Sequence, residues 1–281
     1  MLSGEKVKGK LSKATSKEIV LTNTRGAIEE ITAFNPDFAF FQEVDTNSTR
    51  SFQVNQFKML QESLAKMASV HVSNFHSAYL FYPILDPHGV VNSGIATFSK
   101  YKIDKVIRKS LEITDAFPSK FFDLDRCFSA SYLKTNHDNY LVIVNVHLSA
   151  YDKGGVYRKK QLQQLNSFLE VEYQKGNYVV CGGDFNHDIA NSMYVFETKQ
   201  EKPEWVYALN NDDLNENFSF ATNNNIPTCR STDMPYEKNV NYSVVLDGFI
   251  VSKNVDVIMV ENVDTNFEYS DHNPVYLSLI H

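Results

Sequence analysis

Apolar positions recur along the chain with two periods. Val20, Ala27, Ile31 and Phe34 return at helical spacing behind Thr15-Ser16-Lys17-Glu18, a hydroxyl followed three residues later by a carboxylate, which fits a capping box. Asn35-Pro36 closes the stretch, so a helix is expected over about 16–34. Asp37-Phe38-Ala39-Phe40-Phe41 is a short apolar run ending on Gln42-Glu43, the pattern of a buried strand that delivers side chains to a site at its end. Val54, Phe57, Leu60 and Leu64 form the stripe of a second helix over 54–67. Strand-like runs follow at 78–83, 94–99, 128–133 and 140–147. The clearest helix spans 156–173, with Leu162, Leu165, Phe168 and Leu169 on one face. Tyr178 to Cys181 then reads as a buried strand running into Gly182-Gly183-Asp184. Residues 197–242, rich in Asn, Asp, Ser and Pro, predict a long surface excursion before the last strands at 243–251 and 275–280.

Strands outnumber the helices scattered among them, which suits a layered α/β sandwich. The 281 residues suffice for one large core, and the expected organisation is a polar tail over 1–15 followed by a single domain over 16–281. A net charge of −7 argues against a surface that grips duplex nucleic acid non-specifically, since that binding is driven by Lys and Arg displacing counterions. Cys127, Cys181 and Cys229 lie far apart with no CxxC pair, so they predict buried thiols instead of a zinc knuckle or a disulfide framework. No window reaches the roughly 18 apolar residues of a membrane span, and the Lys-rich start does not read as a signal peptide. A cytoplasmic monomer is the expectation.

Five segments place acidic, amide or imidazole groups in or just after apolar strands: Gln42-Glu43, Asn145-Val146-His147-Leu148, Gly183-Asp184-Phe185-Asn186, Leu246-Asp247-Gly248 and Ser270-Asp271-His272. Each has a plain structural explanation alone: Asp after Gly-Gly is ordinarily a turn residue, and a strand histidine is ordinarily a packed one. Together Glu43, Asp184, Asn186 and Asp271 would offer the oxygen ligands that a hard cation such as Mg²⁺ takes with substrate phosphate, leaving the histidines for proton transfer or phosphate contact.

In this order, Phe41-Gln42-Glu43-Val44-Asp45, Asn145-Val146-His147-Leu148-Ser149, Gly182-Gly183-Asp184-Phe185-Asn186, Leu246-Asp247-Gly248-Phe249-Ile250 and Ser270-Asp271-His272-Asn273-Pro274-Val275 resemble the endonuclease/exonuclease/phosphatase superfamily over residues 37–280. The resemblance implies a four-layered α/β/β/α sandwich of the DNase I-like kind and phosphoester hydrolysis with Mg²⁺, or Mn²⁺ in its place. It implies Glu43 as the principal metal ligand with Asp271 beside the metal. Asp184 and Asn186 would orient the attacking water and the phosphate. His272 would polarise the phosphate or act as base, held in its tautomer by Asp247, and His147 would be a phosphate ligand or a proton donor to the leaving oxygen. A diester is expected ahead of a monoester, with a nucleic acid or a small phosphodiester as substrate.

The sequence departs from the family pattern at its start. Glu18-Ile19-Val20-Leu21-Thr22-Asn23 imitates the family's first strand, which ends on a metal-binding Asn, but the helical spacing favours helix there. The domain is then expected to lack that strand. Arg230, in the irregular excursion, is a candidate phosphate contact because a guanidinium fork matches phosphate oxygens. Tyr151 and Asp152 stand close enough after His147 to line the cleft. Two rival readings remain: a sphingomyelinase-like lipid diesterase or inositol-phosphate phosphatase, the former using the aromatic stretch 75–91 at a membrane, and a non-catalytic phosphate-binding scaffold.

Overall fold

Ser16 starts the first helix. Its Oγ accepts from the Ile19 N–H at 3.2 Å, so the cap lies one residue beyond the Thr15 of the expected box, and α1 runs over Lys17–Thr32. Glu18 to Asn23 are therefore helical, and Asn35 turns the chain in the left-handed region (φ 48°) ahead of Pro36. The protein's structure, a computed structural model, describes residues 14–80, 89–113, 125–150 and 156–280. The expected tail up to residue 13, Tyr151, Asp152 and residues 81–83 of the 78–83 run lie outside the described residues.

The remaining elements are β1 (Phe38–Asp45), α2 (Gln56–Ser63), β2 (Ala68–Leu80), β3 (Gly89–Ser99), β4 (Lys105–Ser110), β5 (Cys127–Lys134), β6 (Tyr140–His147), α3 (Val156–Gln174), β7 (Tyr178–Asp184), β8 (Phe218–Ala221), β9 (Cys229–Arg230), β10 (Ser243–Val244), β11 (Asp247–Ser252), β12 (Asp256–Asn262) and β13 (Val275–Ile280). Several expectations need correction. The second helix is shorter than 54–67: the Asn55 side chain caps its start by accepting from the Lys58 N–H, and Leu64 leaves the helical backbone after Ser63. The single strand expected over 243–251 is two, β10 pairing with β9 and β11 with β7 and β8. Of the stretch 75–91, residues up to Leu80 belong to β2 and those from Gly89 on belong to β3, while 81–88 lie outside the described residues.

Four layers result. The larger sheet has the order β4-β5-β6-β7-β11-β8, with β6 and β7 parallel and its other pairs antiparallel. Facing it are the three-stranded sheet β1-β3-β2 and the pair β12-β13. Strand periodicity sorts the side chains. On β6, Val142, Val144 and Val146 pack outward against Leu162, Leu165 and Leu169 of α3, while Leu141 and Ile143 pack inward with Phe38, Phe40, Leu277 and Leu279. The same alternation leaves Asn145 and His147 on the inner face. On the other side, Ile28 of α1 and Leu60 of α2 cover Ala39, Val44, Ala96 and Phe98. Among the described residues β1 has β3 as its one hydrogen-bonded neighbour and β13 has β12, so both smaller units keep an open edge.

Candidate active site

The inner faces of three neighbouring strands end together. Asp184 closes β7, directly opposite His147 of parallel β6 on one side and Asp247 of antiparallel β11 on the other. Two glycines make that approach feasible. A Cβ on Gly182 would stand 2.5 Å from the Phe249 ring, and one on Gly183, whose φ is 145°, would stand 2.1 Å from the Val146 carbonyl oxygen. Gly182-Gly183 is thus required by packing before Asp184 does any chemistry.

His272 reaches the cluster from the segment before β13. It forms an isolated bridge with Cys229, in which the Arg230 N–H donates to the Asp271 carbonyl at 3.2 Å and the Asn273 N–H to Thr228 at 2.8 Å. That is the closely spaced, non-hydrogen-bonded type of antiparallel pair, which brings the Cys229 and His272 side chains together. His272 Nδ1 lies 2.8 Å from Asp247 Oδ2, and its Nε2 lies 4.0 Å from Asp184 Oδ2. His147 Nε2 approaches the same Asp184 oxygen to 3.5 Å from the other side. Asn186, in the left-handed region at φ 50°, donates its N–H to Asp184 Oδ1 at 2.7 Å and its side-chain amide to the Leu148 carbonyl at 2.8 Å. The sequence candidates His147, Asp184, Asn186, Asp247 and His272 therefore converge around one carboxylate.

Electrostatics pushes these groups apart. Burial raises the Asp184 carboxyl to about 7, and the Asp247 charge adds to the rise. Burial works against a charged His272, yet the Asp247 carboxylate holds this imidazole well above its ordinary value. His147 is moved well below, by burial first and then by the Arg126 charge. One histidine is held as the cation and the other as the neutral ring, the kind of division that separates acid from base in a site.

Glu43 and Asp271 stand somewhat apart from this cluster. Between Phe41 and Val44 the register of β1 slips by a bulge, and Glu43 takes φ 54° there. The bulge reverses the parity of the strand, so Val44 still packs outward with Ala39 while Gln42 turns inward to donate to Asn145 Oδ1 at 2.8 Å. The half-exposed Glu43 carboxylate (48%) lies 3.5 Å from Arg50, whose guanidinium also grips buried Asp45 through Nη2 at 3.0 Å and Nε at 3.1 Å. Desolvation opposes ionisation of Glu43, but the charge of Arg50, together with smaller contributions from other positive groups such as Arg126, outweighs it and holds the carboxyl far below its usual range. Asp271 also lies within the field of Arg50. Sequence reasoning missed Arg50 and Arg126. Both sit outside the strand-end motifs, and no spacing rule marks them.

Oxygen donors dominate this end of the sandwich, and atoms of Asp184, Asp247 and His272 lie within 4.8 Å of one another. The buried Asp184 carboxyl, destabilised as an anion by its neighbour, is the chemical situation a divalent cation relieves, so the residues fit a hard metal ion. Among the described residues no helix is long and apolar enough to cross a membrane.

The chain is 24% identical over 245 residues to the inositol phosphosphingolipids phospholipase C of Schizosaccharomyces pombe, an alignment covering 76% of the chain and 58% of that protein. The chain thus spans little more than half the length of this relative. Among solved structures, an endonuclease/exonuclease/phosphatase from Beutenbergia cavernae superposes with a TM-score of 0.64 at 15% identity, covering 99% of this chain and 69% of that one. TDP2 of D. rerio, complexed with a single-strand DNA product, gives 0.61 at 13% identity with 93% of each chain covered. The model of the endonuclease/exonuclease/phosphatase family matches residues 21–272, from within α1 to His272 itself, and the chain belongs to that family.

Proposed function

We propose that the protein hydrolyses a phosphodiester with Mg²⁺ or Mn²⁺ at the cluster around Asp184. The observation that carries this reading is the placement of one buried carboxylate between two imidazoles of opposite charge preference, with Asp247 fixing the His272 ring at 2.8 Å. Glu43, Asp184, Asp247 and Asp271 are the carboxylates available to hold the ion. When bound, the ion supplies charge neutralisation on the phosphate and a lowered pKa for water.

The chain's own groups supply the rest. Asp184, ionised once its neighbourhood is neutralised, accepts the proton of the attacking water, and Asn186 fixes the orientation of that carboxylate through its backbone N–H. His272, with Nδ1–H directed to Asp247, presents Nε2–H to a non-bridging phosphoryl oxygen where negative charge develops. His147 contacts the phosphate as a neutral ring and adds no charge. Water's oxygen bonds to phosphorus in line as the P–O bond to the leaving group breaks, and the departing oxygen, which takes the bonding pair, picks up a proton from solvent.

A lipid phosphodiester is the second reading, favoured by the likeness to the yeast phospholipase C. The test is turnover of a chromogenic diester, single-stranded oligonucleotide and inositol phosphosphingolipid with Mg²⁺, Mn²⁺ or EDTA. Metal-dependent cleavage that His272→Ala removes is expected. Equal turnover in EDTA, or in the variant, would overturn the reading.

A further inference from the structure

Arg230 is buried to 5% exposure, yet it has no carboxylate partner among the described residues. Its Nη1 donates to the Ser231 carbonyl at 3.0 Å, while Nε is enclosed with no hydrogen-bond partner. A guanidinium offers five N–H donors and cannot shed its charge, so enclosing it without an anion is costly. The Tyr236 ring, 5.9 Å away, covers one side of it. Nearby Asp264 pairs with Lys238 at 3.8 Å and does not reach Arg230.

Position gives this unpaired guanidinium a meaning. Cys229 and His272 face each other across the bridge, so the next residues in antiparallel register, Arg230 and Asp271, are cross-strand neighbours on the other face. They form no ion pair, and Asp271 lies instead in the field of Arg50. Arg230 is thus one register step from the Cys229–His272 pair, on the face it shares with Asp271, the carboxylate that lies in the field of Arg50.

We infer that Arg230, backed by Tyr236, binds a second anionic group of the substrate, a phosphate adjoining the scissile one. This rests on the proposed reading of the catalytic cluster and narrows its substrate to phosphodiesters carrying a neighbouring phosphate. The neighbouring phosphate of an oligonucleotide and that of a phosphorylated sugar or inositol headgroup share this chemistry, and substrates of each kind distinguish them.

The experiment compares wild type with Arg230→Met, which keeps the buried volume, and Arg230→Lys, which keeps the charge but loses the fork. Hydrolysis of thymidine 5′-(p-nitrophenyl phosphate) is measured with and without a 3′-phosphate, alongside an inositol phosphodiester with and without a ring phosphate. For whichever pair the enzyme accepts, Arg230→Met should lower kcat/KM by about tenfold to hundredfold on the member carrying the second phosphate, mostly through KM, and leave the member without it unchanged. Arg230→Lys should fall between. Equal losses on both members would make Arg230 a structural residue, and no loss on either would remove it from the substrate. Pyrophosphate binding in EDTA, followed by thermal shift against inorganic phosphate, separates the two levels of argument. If wild type cleaves nothing yet pyrophosphate stabilises it and not Arg230→Met, the anion site stands and the hydrolase reading fails. A pyrophosphate shift that persists in Arg230→Met, or one absent from wild type, overturns the anion site.

Discussion

The two halves of the candidate site are held by different means. Asp184, His147 and Asp247 sit on three adjacent central strands of the six-stranded sheet, where hydrogen-bonded neighbours on both sides and the α3 core fix each side chain. Glu43 sits on β1, an edge strand of the smaller sheet, at a bulge with a left-handed backbone, and an ion pair with Arg50 holds it in place of a neighbouring strand. A preorganised constellation comes cheaply at the centre of a paired sheet, because register alone sets the spacing. At an open edge the same precision depends on a few specific contacts, so the two halves should fail differently when altered.

The largest contrast should appear in turnover. Asp184→Asn and His272→Ala each remove a group around which the others are arranged, and each should lower kcat/KM by about 10² to 10⁴. Neither should alter the circular dichroism spectrum. Glu43→Gln should act chiefly through cation affinity, with activity partly restored at high Mn²⁺. A histidine variant that recovers at high metal would contradict this division of labour.

Stability should separate the halves next. Gly183→Ala forces a Cβ to 2.1 Å from the Val146 carbonyl oxygen, a backbone atom that no side-chain movement can clear, at a backbone angle that L side chains rarely adopt. A loss of about 3 kcal/mol or more in urea unfolding is expected. Arg50→Gln leaves Asp45 buried at 4% exposure without its bidentate partner, although Asp45 keeps a backbone bond to Gln56 at 3.0 Å. Arg50 is itself 21% exposed, so a smaller loss, about 2 kcal/mol, is expected, measured in EDTA. An Arg50→Gln protein as stable as wild type would mean that the bulge of β1 holds itself.

How much of this was legible in the sequence follows the same boundary. The central strands were readable because burial on both faces leaves continuous apolar runs, as in Tyr178 to Cys181 and Tyr140 to Val144, and polar residues at their ends then stand out. The exposed edge strand β4, Lys-Val-Ile-Arg-Lys-Ser, has no such contrast and was missed, as was β12, whose residues are mostly exposed. Cap and period identified α1 correctly as helix, against a stretch that imitates a strand, because Ser16 and the buried Val20, Thr24 and Ile28 set a helical face. Arg50 was invisible for a different reason. Its role depends on a bulge and a turn that place it against residues five and seven positions earlier, a geometry that no periodic pattern encodes.

The smallest effect is also the most diagnostic. His272 has a native pKa raised by Asp247, so its contribution to stability is complete below the unfolded value of roughly 6.5 and is lost as pH rises through the higher native value. His147 has the opposite sign. Its native pKa is depressed, so its neutral burial favours folding fully above roughly 6.5 and progressively less as pH falls towards the native value. Unfolding free energy of the metal-free Asp184→Asn protein, which lacks the opposing titration of that raised carboxyl, measured from pH 5 to 9, should therefore show an alkaline decline that adding Asp247→Asn removes, while the acid decline persists. Imidazole titration by NMR should show the His272 midpoint moving to lower pH in Asp247→Asn, because the carboxylate that favours the cation is gone. His147 has no carboxylate fixing its Nδ1, which is buried without a hydrogen-bond partner, so its resonance should barely respond to the same change. If both histidines shifted together, the carboxylate between them would be one shared titrating unit, and the assignment of a cationic and a neutral ring would have to be abandoned.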